Sequence, residues 1–274
     1  MQYTDILLHH PELENLLDYV RQDFFHLPIK SVILTGGLAL GEFSTQMSDI
    51  DVIALVNEPL ENYQQEYNLD YAKLRKLALG DRLDVRFVNL SQLGSASMTG
   101  HDLEGSPCEL QEIDIITARK HGIVLAGEDL RRRFAACNET EVIDGIIAHV
   151  IDRLLPKTDE AGSREWHGNP WDNPIFQQTF LMSRCIYTLY SGQITTKPAS
   201  ADWLNDQLAA LPFLQPLAEL ASRFAGWYRR GSPMEIDWGV LYRDFLNAQI
   251  AFMSGTIYHR IRGLTGSEDQ SVVV

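Results

Sequence analysis

Between residues 11 and 25, apolar side chains recur at Leu13, Leu16, Leu17, Val20 and Phe24, the spacing of a helix with one buried face. The period then shortens. Ser31-Val32-Ile33-Leu34 is an apolar run that stops at Gly36-Gly37. A second run, residues 50–56, begins beside two acids and ends before Asn57-Glu58-Pro59, where proline cannot continue a strand ladder. Residues 60–80 predict a helix, with Leu69, Leu74 and Leu77 apolar and Lys73, Arg75 and Lys76 outward. Leu83, Val85 and Phe87 then alternate with Asp84 and Arg86, which predicts a third strand with a polar face. Residues 94–107 carry Gly and Ser without periodicity and predict a surface loop. A helix over 109–121, a strand over 122–127 and a basic-ended helical turn over 128–134 follow.

Near residue 138 the short β-branched runs give way to long amphipathic patterns, over 139–155, 174–191, 199–210, 215–230 and 236–262. Asn173-Pro174 supplies a helix start, an N-cap with proline in the first turn, and Gly192 a stop. Residues 162–171 form a polar, aromatic-bearing linker. The pattern predicts an α/β domain over 1–137, a sheet flanked by helices; a mixed sheet is the arrangement expected. An all-α helical bundle over 138–265 and a flexible tail over 266–274 complete it.

Composition narrows the function classes. With 274 residues and 45% hydrophobic content the chain can bury one large core or two ordinary ones. It has no apolar run long enough to span a bilayer and no basic-then-apolar leader, so no membrane association is expected. Cys108, Cys137 and Cys185 are odd in number and lack ligand spacing, as reduced thiols of a cytoplasmic protein would. A formal net charge of -14 disfavours nucleic acid and favours a cationic small molecule. For the same reason Arg131-Arg132-Arg133 reads as a solvated face. A monomer is expected, and adjacent His9 and His10 receive no role.

The candidate chemistry lies where the first two strands meet. Side chains alternate along a strand, so Asp49 and Asp51 face the same way. Two neighbouring carboxylates repel unless a proton or a cation intervenes, and a hard divalent ion such as Mg²⁺ meets that need beside phosphates. Gly36 and Gly37 allow backbone N–H groups to approach an anion closely. Asp84, on the polar face of the third strand, is a candidate third acid; it can also be read as a surface acid paired with Arg86 or Arg82.

The strand, Gly36-Gly37, a spacer and Ser48-Asp49-Ile50-Asp51 before an apolar strand resemble the signature of the polymerase-beta type nucleotidyltransferase superfamily. Leu181 to Lys197, with Ala201-Asp202-Trp203 after it, looks like the helical domain of streptomycin- and spectinomycin-type aminoglycoside adenylyltransferases. The resemblance runs from about residue 29 to 230. It implies ATP as nucleotide and Mg²⁺ on Asp49, Asp51 and Asp84, with Asp84 as general base or metal ligand. It further implies phosphate contacts from Gly36, Gly37 and Ser48, and a triphosphate clamp of Arg184 and Lys197. Trp171 and Asp172 are the candidate contacts to the acceptor, a small cationic molecule. Gly37 stands where a serine is common, Asp84 where the antibiotic-modifying members carry glutamate, and the acids before the arginine-bearing helix are out of register. An acceptor hydroxyl on a protein, or nucleotide binding without turnover, are the other functions open to such a chain.

Overall fold

The computed structural model describes residues 2–22, 28–45, 48–57, 72–95, 98–102, 105–110, 112–136, 174–231 and 237–265. The chain divides into two compact units, Met1–Val142 and Ile143–Val274. The expected junction after residue 137, the helix over 139–155, the linker over 162–171 and the tail all lie outside the described residues.

Among the described residues the first unit has six strands: β1 (Ile29–Leu34), β2 (Ile50–Val56), β3 (Leu83–Asn89), β4 (Met98–His101), β5 (Pro107–Leu110) and β6 (Ile123–Gly127). They lie in the order β5-β4-β3-β2-β1-β6. Only β2 and β3 run parallel; every other neighbouring pair is antiparallel. The sheet is therefore mixed, as expected. One face carries Val32, Leu34, Val52, Ala54, Val85 and Phe87. Against it pack α1 (Tyr3–His9) and α2 (Glu14–Gln22), through Ile6, Leu16, Leu17 and Val20. The other face, with Ile33, Ile53, Leu55 and Val88, is covered by α4 (Glu112–His121) through Ile115 and Ala118. With both faces covered, β2 is apolar nearly throughout, and Asp51 is the exception.

Three expectations change here. The stretch 94–107 is not all loop, because β4 and most of β5 fall within or beside it and continue the sheet outward from β3. The helix expected from 109 starts at Glu112, after β5. Of the helix expected over 60–80, residues 60–71 lie outside the described residues, 72–74 are helical and 75–79 are turns. In addition, α1 precedes the first helix read from the sequence.

The second unit, as described, contains α5 (Pro174–Ser191), α6 (Lys197–Gln207), α7 (Gln215–Arg230) and α8 (Trp238–Thr265). Six of their eight boundaries fall within two residues of the amphipathic patterns, and the other two within three. Gly192 closes α5 with φ +67°, and its N–H donates to Thr188 O at 2.9 Å. Phe176 and Phe180 of α5 meet Phe224 and Trp227 of α7 in one aromatic cluster, with Phe176 and Phe224 centroids 4.4 Å apart. Ser183 and Ser200 hydroxyls, 2.7 Å apart and buried, tie α5 to α6.

Candidate active site

The acids gather at the edge where β1 ends and β2 and β3 begin. Thr35 N donates to Asp51 O at 2.8 Å, which draws the end of β1 onto the start of β2. Beyond Thr35 comes the one-turn helix α3 (Gly36–Ala39). Gly36 has φ +66°, and a Cβ built on it would stand 1.8 Å from Oδ2 of Asp51. No other residue could bring backbone so close to that carboxylate. Gly36 is thus the wall against which Asp51 rests.

In the parallel pairing of β2 with β3, Asp51 is opposite Asp84. Directly opposed residues share a face at close range, so the two carboxylates are neighbours. Asp49 lies two residues before Asp51, exposed at the entry to the strand. Burial pushes the Asp51 carboxyl up to about 6; Arg86 opposes this, while the charges of Asp84, Asp114 and Asp49 add to it. The face is strongly anionic.

Arg86 stands on the same side of β3 as Asp84. Its Nε and Nη2 donate to Asp84 Oδ2 at 3.3 and 3.1 Å, and its Nη1 donates to Asp114 Oδ2 at 3.0 Å. These side chains are 27% (Arg86), 39% (Asp84) and 33% (Asp114) exposed, wet enough that the pairs orient groups more than they stabilise the fold. So Asp84 is both the neighbour of Asp51 and the partner of Arg86. Asp114, in the first turn of α4, had no signal of its own in the sequence. The hint lay in Arg86: a cation two residues from Asp84 on a face that a helix covers needs an anion from that helix.

Ser48 is buried, and its hydroxyl accepts from Ser44 N at 2.9 Å, closing the loop before β2. Thr35 Oγ1, buried beside the glycine turn, has no hydrogen-bond partner among the described residues. A cavity of about 500 Å³ opens between α1 and the segment after α3, lined by Asp5, His9, His10, Leu38, Glu42 and Phe43 among others; none of the three candidate acids reaches it.

Arg184 and Lys197 belong to the second unit. Arg184 Nε donates to Thr195 O at 3.0 Å, which brings the arginine of α5 beside the turn that leads into Lys197 at the start of α6. One hydrogen bond of this half-buried guanidinium therefore goes to a backbone carbonyl. Trp171 and Asp172 lie outside the described residues. Of the cysteines, Cys185 is buried in α5 with its thiol pushed far up by that burial, and Cys108 is half-buried on β5.

Residues 13–103 match the family model described as "Nucleotidyltransferase domain", a stretch that holds the glycine turn and all three acids. The chain carries a nucleotidyltransferase domain. Among solved structures the chain is similar to a spectinomycin adenyltransferase from Enterococcus faecialis, solved with ATP and spectinomycin, with a TM-score of 0.58 and 14% identity. The likeness covers 90% of this chain and 98% of that one, and at this identity it establishes a shared fold. No curated protein sequence matches. No helix among the described residues is long and apolar enough to cross a membrane.

Whether the acids suit a metal can be judged from their chemistry. They offer oxygen donors only, with one carboxyl raised by burial and further by its acidic neighbours, which is the donor set of a hard cation. Among the described residues no three acids, cysteines or histidines already form a cage. Mg²⁺ does not need one, since it binds through one or two carboxylates and completes its shell with water and phosphate. The residues fit Mg²⁺ delivered with a nucleotide.

Proposed function

We propose that this nucleotidyltransferase moves AMP from ATP to a hydroxyl of a small cationic acceptor, of the aminoglycoside or aminocyclitol class. The observation that carries the reading is the opposition of Asp51 and Asp84 against the glycine turn, inside a nucleotidyltransferase domain. The structural neighbour, solved with ATP and spectinomycin, supports ATP as donor and an aminocyclitol as acceptor. The net charge of -14 suits a cation.

Asp49 and Asp51 would hold Mg²⁺, which offsets phosphate charge and stabilises the oxygens around the α-phosphorus. Asp84 accepts the proton of the acceptor hydroxyl as its oxygen bonds to that phosphorus. Pyrophosphate leaves with the bridging oxygen. Backbone N–H groups of Gly36 and Gly37, with Ser48, receive the β- and γ-phosphates. Arg184 and Lys197 bind the triphosphate from the helical unit, a planar fork and a point charge. Trp171 and Asp172 meet the acceptor by ring stacking and charge. The domain limits 1–137 and 138–265 assign the acids to one part and the basic pair to the other.

Incubation with ATP, Mg²⁺ and either spectinomycin or streptomycin, followed by mass spectrometry, tests this. An acceptor heavier by one adenylyl group, formed together with pyrophosphate, is the expected result. Unchanged aminocyclitols beside ATP turnover on another acceptor would overturn the acceptor class.

A further inference from the structure

Arg86 has no part in the chemistry above, yet it sits among the acids that perform it. Two of its nitrogens bind Oδ2 of Asp84, so Oδ1 takes no bond from the guanidinium. A strand carboxylate turns freely about its terminal torsion unless something fixes it. Here the fork fixes one oxygen, and Asp114 fixes the other end of the fork. Asp114 is in turn set by α4, which is anchored on this face by buried Ile115 and Ala118. The path from α4 to Asp84 runs through direct hydrogen bonds from Asp114 to Arg86 to Asp84.

Charge gives Arg86 a second effect. Asp49, Asp51, Asp84 and Asp114 bring four formal negative charges to this face, and Arg86 brings one positive charge. Burial works against that charge, but the fields of Asp114, Asp84 and Asp51 more than offset it, so the guanidinium stays protonated. A divalent ion that approaches alone meets a resident cation. One that arrives with a triphosphate carries its own compensating charge.

We propose that Arg86, anchored by Asp114, positions Asp84 for the acceptor hydroxyl and acts as a resident counter-charge that weakens metal binding in the absence of nucleotide. This rests on the assignment of Asp49, Asp51 and Asp84 made above. The residue does not touch the reacting atoms; it acts through Asp84.

The experiment measures Mn²⁺ binding by electron paramagnetic resonance, with and without ATP, beside steady-state kinetics for native protein, Arg86→Gln, Arg86→Lys and Asp114→Asn. Arg86→Gln should bind Mn²⁺ alone about tenfold more tightly than native. Its kcat should fall about 10- to 100-fold, with KM for ATP changed by less than about threefold. Arg86→Lys keeps the charge and loses the fork, so its Mn²⁺ affinity should stay native while kcat falls similarly. Asp114→Asn should lower kcat by the same route and add little to Arg86→Gln. Native Mn²⁺ affinity and native kcat in Arg86→Gln would overturn the inference. Should that variant fail to fold, native kcat in both Arg86→Lys and Asp114→Asn would overturn it equally. Native protein that neither binds Mn²⁺ with ATP nor transfers would instead bring down the acid assignment, and this inference with it.

Discussion

Asp51 is where most of the local physics meets. Its carboxyl is held up to about 6, against 3.8 for an ordinary aspartate, chiefly by burial. A raised folded-state value means that stability is fullest below the unfolded value and declines as pH rises through the folded one. Between about pH 4 and 6 the unfolded chain releases this proton while the folded chain keeps it. Without metal, thermal stability should therefore fall across that window by on the order of 2 kcal/mol and level off above it. Melting curves of native protein and Asp51→Asn at several pH values isolate the effect, since the variant should lack this component. Gly36 belongs to the same contact. Gly36→Ala would place a methyl group within 1.8 Å of Asp51 Oδ2 at φ +66°. It should cost about 1–3 kcal/mol in denaturant unfolding and abolish transfer. The sequence made both residues visible, because glycine beside a strand end and acids two apart are local patterns. The anchoring of Arg86 by Asp114 joins residues 28 positions apart, and no local pattern carries that.

At the scale of elements, the sequence showed a segment best when its own period was long. Helices α5 and α7 end where their amphipathic patterns end, and α5 closes at Gly192 as its chemistry requires. β4 and β5 were hidden because each has four residues, with Gly100 inside one and Pro107 opening the other. They exist because β3 offers an edge to pair with, a tertiary cause; proline is tolerated at the start of β5, the last strand of the sheet. Helix α1 escaped for a similar reason: its seven residues are marginal alone and bury Ile6 against the sheet. In the second unit the aromatic cluster is the main packing feature. Phe224 is fully buried among Phe176, Phe180 and Trp227. Phe224→Ala should destabilise by about 3–5 kcal/mol, measured by urea unfolding followed through tryptophan fluorescence.

For the molecule as a whole, the chain divides into two compact units, Met1–Val142 and Ile143–Val274. The first brings acids and a glycine turn; the second holds Arg184 close to the start of α6, where Lys197 begins the helix. If this basic pair binds the triphosphate, Arg184→Ala and Lys197→Ala should each raise KM for ATP about tenfold or more while leaving folding intact, as steady-state kinetics in ATP would register. Arg184→Lys should not restore native kinetics, because a point charge does not replace a fork. The acid cluster itself is tested most directly by the rate of AMP transfer in Asp51→Asn, measured beside its melting temperature without metal. The expected outcome is a rate at least about 10²- to 10³-fold below native in a protein that melts at the same temperature or higher, since the crowded charge is gone. Transfer at the native rate by Asp51→Asn would contradict the account.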